Sequence, residues 1–526
     1  MLIILQSLLL LLLIATAVLS FLPKEKFGSL ALKVAIGAIC IAVLDLIMGH
    51  GRWQMVPAYA LSLVLFAIIY SRTKQDAKKS LGRKIAFGGY VVVGTVLLCV
   101  AAVLPYAFPM YEVPAPTGTY KVGFSSIYMK DENRPETYTD DPDDKRELMV
   151  RVWYPSDVPA GTKPLPFLTE TEPLLATLGP VPDFLFDHVK QMPGHSYAGT
   201  PLLAGENKFP VLVFSHGFGV FAQGNALALE NLASHGYVVF SIEHPYNAAW
   251  VKFPDGHVAT FDGGGVSPEG EEEMAEAMRL YTKLATGLYE DDYNTYLAAA
   301  KAFAQPQTAS NEGVTLWVDD TAFVLDELAL AGSSDNPGID QFAGRLDMDK
   351  VGIFGMSYGG ATAGMFCAHD DRCTAGLNMD GFQFGENSFD VALEKPFMIM
   401  NSESRLGFKQ YLNADYDWDK PLHFHMNDFF YYQSKNIAYS MVVSGATHMS
   451  YTDMGFTSKI GEWMGALGPI DIYAMNDIMN DYTLAFFDKH LRGINSPLLE
   501  GDTSAYPNVS SFISRDGRSV SAEEAH

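Results

Sequence analysis

The first 22 residues, MLIILQSLLLLLLIATAVLSFL, carry no charged side chain. An apolar run of that length crosses the roughly 30 Å hydrocarbon core of a bilayer as a helix, in which every backbone N–H and C=O is satisfied within the segment. Three more apolar runs follow, at 30–48, 55–70 and 85–108. Together they predict a four-helix transmembrane region over residues 1–108, with 55–70 the shortest against the ~20 residues a span needs. The connecting loops differ in charge. Residues 71–84 hold Arg72, Lys74, Lys78, Lys79, Arg83 and Lys84, the first loop holds Lys24 and Lys26, and residues 49–54 hold only Arg52. The positive-inside rule makes the first and third loops cytoplasmic, so everything after Phe108 is expected outside, as part of an integral multi-pass protein of the cell or inner membrane. A cleaved signal peptide over 1–22 is the rival: Ala15-Thr16-Ala17 resembles a cleavage site, but no basic n-region precedes it. Asp45 is read as a solvated residue near the outer end of its span, and Cys40 and Cys99 as packing residues.

Charge divides the chain in the same place. The net charge is −25, yet residues 1–108 balance at +7 and the remainder at −32. So acidic a surface excludes nucleic acid, which needs basic patches. Hydrophobic residues at 48% support a large core. Three parts are expected: the helices to 108, a catalytic domain over 109–498 with long insertions at 155–208, 244–349 and 402–438, and a C-terminal tail over 499–526.

After the proline-rich exit at 105–118, apolar or alternating runs recur between turn residues. Residues 120–129 and 147–154 read as an antiparallel hairpin around the acidic loop KDENRPETYTDDPDDKR, expected to be solvated. Then come FPVLVFS (209–215), YVVFSIE (237–243), KVGIF (350–354), AGLNM (375–379), FMIMN (397–401) and YSMVVS (439–444). Continuously apolar strands are buried on both faces, as in a parallel sheet, and helical patterns separate them. The fold class is α/β, with about eight strands in a mostly parallel sheet.

Chemistry in such sheets gathers at the carboxyl ends of the strands. Ser357 follows the fifth run inside GMSYG, a G-x-S-x-G pattern that places a serine on a sharp strand-to-helix turn. Asp380 follows the sixth, Glu403 the seventh, His448 the eighth, and HGFG (216–219) the third. A serine hydroxyl needs a base to take its proton and an acid to hold that base. The expected set is Ser357 as nucleophile, His448 as base and Asp380 as acid, with Glu403 the alternative acid. The backbone N–H groups of Phe218 and Tyr358 are expected to form the oxyanion hole, while His216 shapes the loop. His423 and His425 lack a third ligand at metal-binding spacing, and no metal or cofactor is expected. Cys367 and Cys373, six apart, stay open between a disulfide and two buried thiols.

The blocks KFPVLVFSHGFG, LASHGYVVFSIEH, GMSYGGA, CTAGLNMDGF, MNSES and SGATHMSYTD, in this order, resemble the plasma-type platelet-activating factor acetylhydrolase family. The likeness runs over roughly 115–495. It implies an α/β-hydrolase fold, cleavage of acetyl and oxidised short acyl chains from phospholipids, and the roles just given to Ser357, Asp380, His448, Phe218 and Tyr358. The family typically has His before the nucleophile where this chain has Met356, and the secreted members lack the N-terminal spans. Within the insertions, 269–304 has a helical pattern and 174–189 an apolar one; each reads as a lid or as cover for the sheet. Aromatic DFFYYQ (428–433) reads as acyl-pocket lining or as core. The expected activity is a membrane-anchored serine esterase or lipase. The alternatives are a general carboxylesterase or polyester hydrolase, and an inactive hydrolase-fold membrane protein. The substrate is a lipid or other ester; the sequence fixes no oligomeric state.

Overall fold

The computed structural model describes residues 2–49, 51–74, 81–179, 181–262, 292–333, 336–408 and 422–517, with 276, 279, 280 and 282–284. The chain forms two units: a helical unit of residues 1–112, 182–192 and 457–460, and a sheet unit of the remainder.

The helical unit contains α1 (Leu2–Phe21), α2 (Lys24–Ile47), α3 (Val56–Lys74) and α4 (Leu81–Ala107). Among the described residues, three helices are long and apolar enough to cross a membrane: Ile4–Phe21, Lys24–Ile47 and Trp53–Lys74. The expected count of four is therefore corrected. Within the described residues the apolar part of α4 is Val92–Ala107, shorter than a span needs. The third run, expected to be the shortest, becomes a full-length helix because it continues through Arg72 and Lys74. Ala31, Ala35, Ala38 and Ala42 line the buried side of α2, small residues that let helices approach closely. Ile4, Leu11, Val18, Ile36, Ile47 and Leu63 face outward. Cys40 and Cys99 are exposed rather than packed.

Asp45 is not a solvated residue. It is fully buried, accepting hydrogen bonds from Tyr59 Oη (2.6 Å) and Gln6 Nε2 (3.3 Å). Gln6 Oε1 in turn accepts from Arg52 Nε (3.1 Å) and Nη2 (2.9 Å). A carboxylate at a helix contact must be paired, and this one ties α1, α2 and α3 together. The apolar segment at 174–189 is divided: Pro182–Met192 belongs to the helical unit. There Leu185 O accepts from the Trp53 indole (3.2 Å), whose ring packs on Phe108 and Phe184.

The sheet unit is built on β1 (Lys121–Pro135), β2 (Lys145–Ser156), β3 (Ser196–Ala198), β4 (Phe209–Ser215), α5 (Ala226–Ser234), β5 (Val238–Glu243), β6 (Trp250–Lys252), β7 (Val258–Thr260), α6 (Tyr293–Ala304), α7 (Thr308–Ala329), β8 (Leu346–Met356), α8 (Tyr358–His369), β9 (Cys373–Met379), β10 (Phe397–Ser402), β11 (Ile437–Val443), α9 (Ile472–Phe487) and β12 (Val509–Asp516). One ten-stranded sheet runs β12-β11-β10-β9-β8-β4-β5-β2-β1-β3. The six central strands, β11 to β5, are parallel. The β1–β2 hairpin is antiparallel, as expected. β6 and β7 form a separate hairpin.

Two strands of the ten-stranded sheet go beyond the expected eight. β3 is only three residues long, and β12 (VSSFISRD) is too polar to alternate cleanly; it pairs antiparallel with β11 and closes that edge. It lies within 499–526, of which 518–526 are outside the described residues. The helical pattern at 269–304 is described only in part, as α6. Alternate residues of each central strand enter opposite cores. Val211, Val213 and Ile353 pack under α7 and α8, while Leu212, Phe214 and Phe354 pack under α5 and α9. Burial on both faces is why these strands read as unbroken apolar runs.

Candidate active site

β8 ends at Met356 and α8 begins at Tyr358, so the chain reverses on Ser357 alone. Ser357 has φ 56° and ψ −121°, a conformation that L-residues rarely adopt and that costs about 1–3 kcal/mol. The flanking glycines make the turn possible. A Cβ on Gly359 would lie 2.0 Å from Ser215 O, and one on Gly355 would lie 2.3 Å from Gly359 C. With both absent, the turn packs against the end of β4 and the Ser357 side chain stays partly exposed.

Asp380 follows β9, also at positive φ (57°). The Asn378 side chain bonds both polar groups of the Gly381 backbone, holding the turn. The Asp380 carboxylate accepts from Ser402 N (2.7 Å), Ser402 Oγ (2.8 Å) and Asn427 Nδ2 (3.1 Å). His448 opens a short 3-10 turn after β11. Its Nδ1 lies 2.8 Å from Asp380 Oδ2 and its Nε2 lies 2.8 Å from Ser357 Oγ. Because a carboxylate only accepts, Nδ1 carries the hydrogen and Nε2 is free to accept from the serine. The His448 side chain is 44% exposed and that of Asp380 4%. Glu403, the alternative acid, accepts instead from Gly445 N (2.7 Å).

The HGFG loop lies directly against the serine. A Cβ on Gly217 would fall 2.8 Å from Met356 Sδ and 3.3 Å from Ser357 Cβ. Among the described residues, no protein acceptor engages the Phe218 N–H or the Tyr358 N–H. The Phe218 ring packs between Tyr358 (5.2 Å) and Phe261 (4.9 Å), the latter just past β7. Free N–H groups beside a serine held by an imidazole can stabilise the oxyanion of an acyl-transfer intermediate.

Sequence reasoning missed Ser402 and Asn427, whose link to Asp380 spans 22 and 47 positions. The strand-end position of Ser402 was the available signal. It also missed a buried network under the loop. Arg146 reaches Asp320 through Nε (3.1 Å) and Nη2 (2.7 Å) and Glu136 through Nη1 (3.0 Å), while Arg134 Nη2 reaches Asp320 at 2.8 Å. The acidic loop expected to be solvated is thus partly internal, because buried Glu136 pairs with buried Arg146 and buried Asp131 pairs with Arg134. Burial opposes the charge on Asp320, but Arg146 and a hydrogen bond from His244 outweigh it and hold the carboxyl below its usual range. DFFYYQ is core: Phe429 and Phe430 are fully buried. Cys367 and Cys373 are joined in a disulfide. Among the described residues no group of three or more His, Cys, Asp or Glu is placed to hold a metal. A cavity of about 420 Å³ between α6, the start of α7 and the 385–390 loop includes none of the Ser357 set in its wall.

The model of one family, described as platelet-activating factor acetylhydrolase, isoform II, matches residues 106–254 and 326–503. The chain belongs to this family. The platelet-activating factor acetylhydrolase of Cavia porcellus is 28% identical over 412 residues, covering 75% of this chain and 83% of that protein. The one from Canis lupus familiaris is 25% identical over 394 residues, covering 72% and 77%. Among solved structures, a ferulic acid esterase from Streptomyces cinnamoneus superposes with a TM-score of 0.53 at 24% identity, covering 77% of this chain and 99% of that one. This platelet-activating factor acetylhydrolase-type chain is an ester hydrolase with an α/β fold. The family match leaves out 255–325, which contains β7, α6 and most of α7.

Proposed function

We propose that the chain is a membrane-anchored serine hydrolase that removes short or oxidised acyl chains from phospholipids. The observation that carries this reading is the unbroken path from Ser357 Oγ through His448 to Asp380, with 2.8 Å at each step. Ser357 attacks the ester carbonyl as His448 Nε2 takes its proton. Asp380 keeps the imidazole in the required tautomer and balances its charge. The N–H groups of Phe218 and Tyr358 receive the developing oxyanion. His448 then protonates the departing lysophospholipid, and water repeats the sequence on the acyl-enzyme. The names of the curated relatives support phospholipid as the substrate.

Anchoring is supported by the three apolar helices. An extracytoplasmic site is supported by the basic loops and by the disulfide, which persists in oxidising surroundings. Residues 109–526 balance at −32 and would be repelled by an anionic leaflet, so an anchor replaces electrostatic attraction.

The test uses full-length protein in phospholipid vesicles. A fluorophosphonate probe should label the wild type and leave Ser357→Ala unlabelled. Acetyl and short-acyl phospholipids should then be turned over faster than long-acyl ones. Turnover of nitrophenyl esters without any phospholipid would leave a general carboxylesterase, and an unlabelled wild type would end the enzymatic reading. Protease protection in vesicles of known orientation tests the side.

A further inference from the structure

Under the HGFG loop lies a second serine–histidine–aspartate arrangement. His244, just past β5, has Nε2 3.1 Å from Ser215 Oγ and Nδ1 2.8 Å from Asp320 Oδ2. Ser215, His244 and Asp320 are all buried, so no ester reaches this serine. Its neighbours show what the arrangement holds. The His216 ring donates from Nδ1 to Gly217 O (2.7 Å) and accepts at Nε2 from the His244 backbone N–H (3.2 Å). Gly217 O belongs to the same rigid peptide plane as the Phe218 N–H and points the opposite way. Fixing that carbonyl fixes the direction of the donor.

We propose that Arg146, Asp320, His244 and His216 form a positioning relay that aims the Phe218 N–H at the oxyanion. His244 grips the loop twice, through its ring to Ser215 and through its backbone to His216. Its ring is stacked on Trp317 at 3.8 Å with 7° between planes, and Asp320 is held by the Arg146 fork. At the far end of the loop, Gly219 N–H donates to Asn247 O (2.8 Å), and the Asn247 side chain accepts from the Trp317 indole (2.9 Å). Burial pushes the His244 imidazole down to about 4 and that of His216 to about 3, so both stay neutral and each keeps one tautomer. Asp320 and Trp317 come from 255–325, which the family match leaves out.

The inference rests on the proposed role of Phe218, and its test is separable from that of the catalytic reading. His216→Phe removes both ring nitrogens, whereas His216→Asn restores a donor near the Nδ1 position. In the full-length protein, His216→Phe should lower kcat about 100-fold, the scale of losing one oxyanion donor, with KM within threefold. Affinity for a boronic acid, whose tetrahedral adduct occupies the oxyanion site, should fall in parallel. His216→Asn should recover at least tenfold of the loss. His244→Phe keeps the stack on Trp317 but releases Ser215 and Asp320; it should lower kcat about tenfold at unchanged KM and decides the matter if His216→Phe does not fold. The relay is overturned if these variants keep kcat within twofold, if KM rises as much as kcat falls, or if His216→Asn is no better than His216→Phe. Fluorophosphonate labelling of the wild type but not of Ser357→Ala shows that the catalytic reading stands whichever way the relay falls.

Discussion

Two serine–histidine–aspartate arrangements sit on either side of one loop, with nearly the same internal distances and opposite surroundings. In the outer one, His448 bridges Ser357 and Asp380 at 2.8 Å each, with its side chain 44% exposed. In the inner one, His244 bridges Ser215 at 3.1 Å and Asp320 at 2.8 Å with no exposure at all. The carboxylates differ as much. Asp380 has neutral donors besides its histidine, so its charge is available to an imidazolium. Asp320 already balances two guanidiniums. Distances alone therefore do not make a catalytic site; access and uncommitted charge do.

The widest gap is expected between the two serines. Ser357→Ala should lower kcat by about 10⁵-fold or more, whereas Ser215→Ala should lose no more than about tenfold, measured on a soluble nitrophenyl ester. Equal losses would erase the distinction. Next, Asp380→Asn should lower kcat about 10⁴-fold by allowing the wrong His448 tautomer, while Glu403→Gln stays within about threefold of wild type. A reversal would move the acid to Glu403. Asp320→Asn should show itself first in stability, losing about 3–5 kcal/mol in chemical denaturation because buried Arg146 loses its main partner.

The smallest expected effect concerns pH. The folded-state value of His244 lies near 4, below the ~6.5 of an unfolded histidine. The unfolded chain therefore takes up the proton first, and stability is lost as pH falls from 6.5 towards 4. His244→Phe lacks that loss. The stability advantage of wild type over this variant should shrink by on the order of 3 kcal/mol between pH 7 and pH 4. A constant gap would mean that His244 titrates normally.

The outer arrangement was legible in the sequence and the inner one was not. Ser357 announced itself because a glycine-flanked serine ended an apolar strand, and His448 because it came four residues after the last of the apolar runs. Both signals come from backbone periodicity, which a sequence displays directly. Asp320 lies mid-helix in an insertion, and its partners come from β1, β2 and the residue after β5. Pairing between polar groups so far apart in the chain leaves no periodic trace. The same holds for Asn427 on Asp380 and for Asp45, whose burial depends on Tyr59 and Gln6 from other helices. In the fold, the central parallel strands were plain because both faces are apolar. The polar edge strand β12 was not, since one partner strand and half a buried face impose little pattern.

The disulfide between Cys367 and Cys373 closes the turn that connects α8 to β9. Ser357 lies on the near side of that turn and Asp380 on the far side. A protease that nicks the chain among residues 368–372, where His369 and Asp371 are exposed, would leave Ser357 and Asp380 covalently joined through sulfur. Only reduction following such a cut would part them, so an enzyme clipped at this turn stays one molecule for as long as its surroundings remain oxidising.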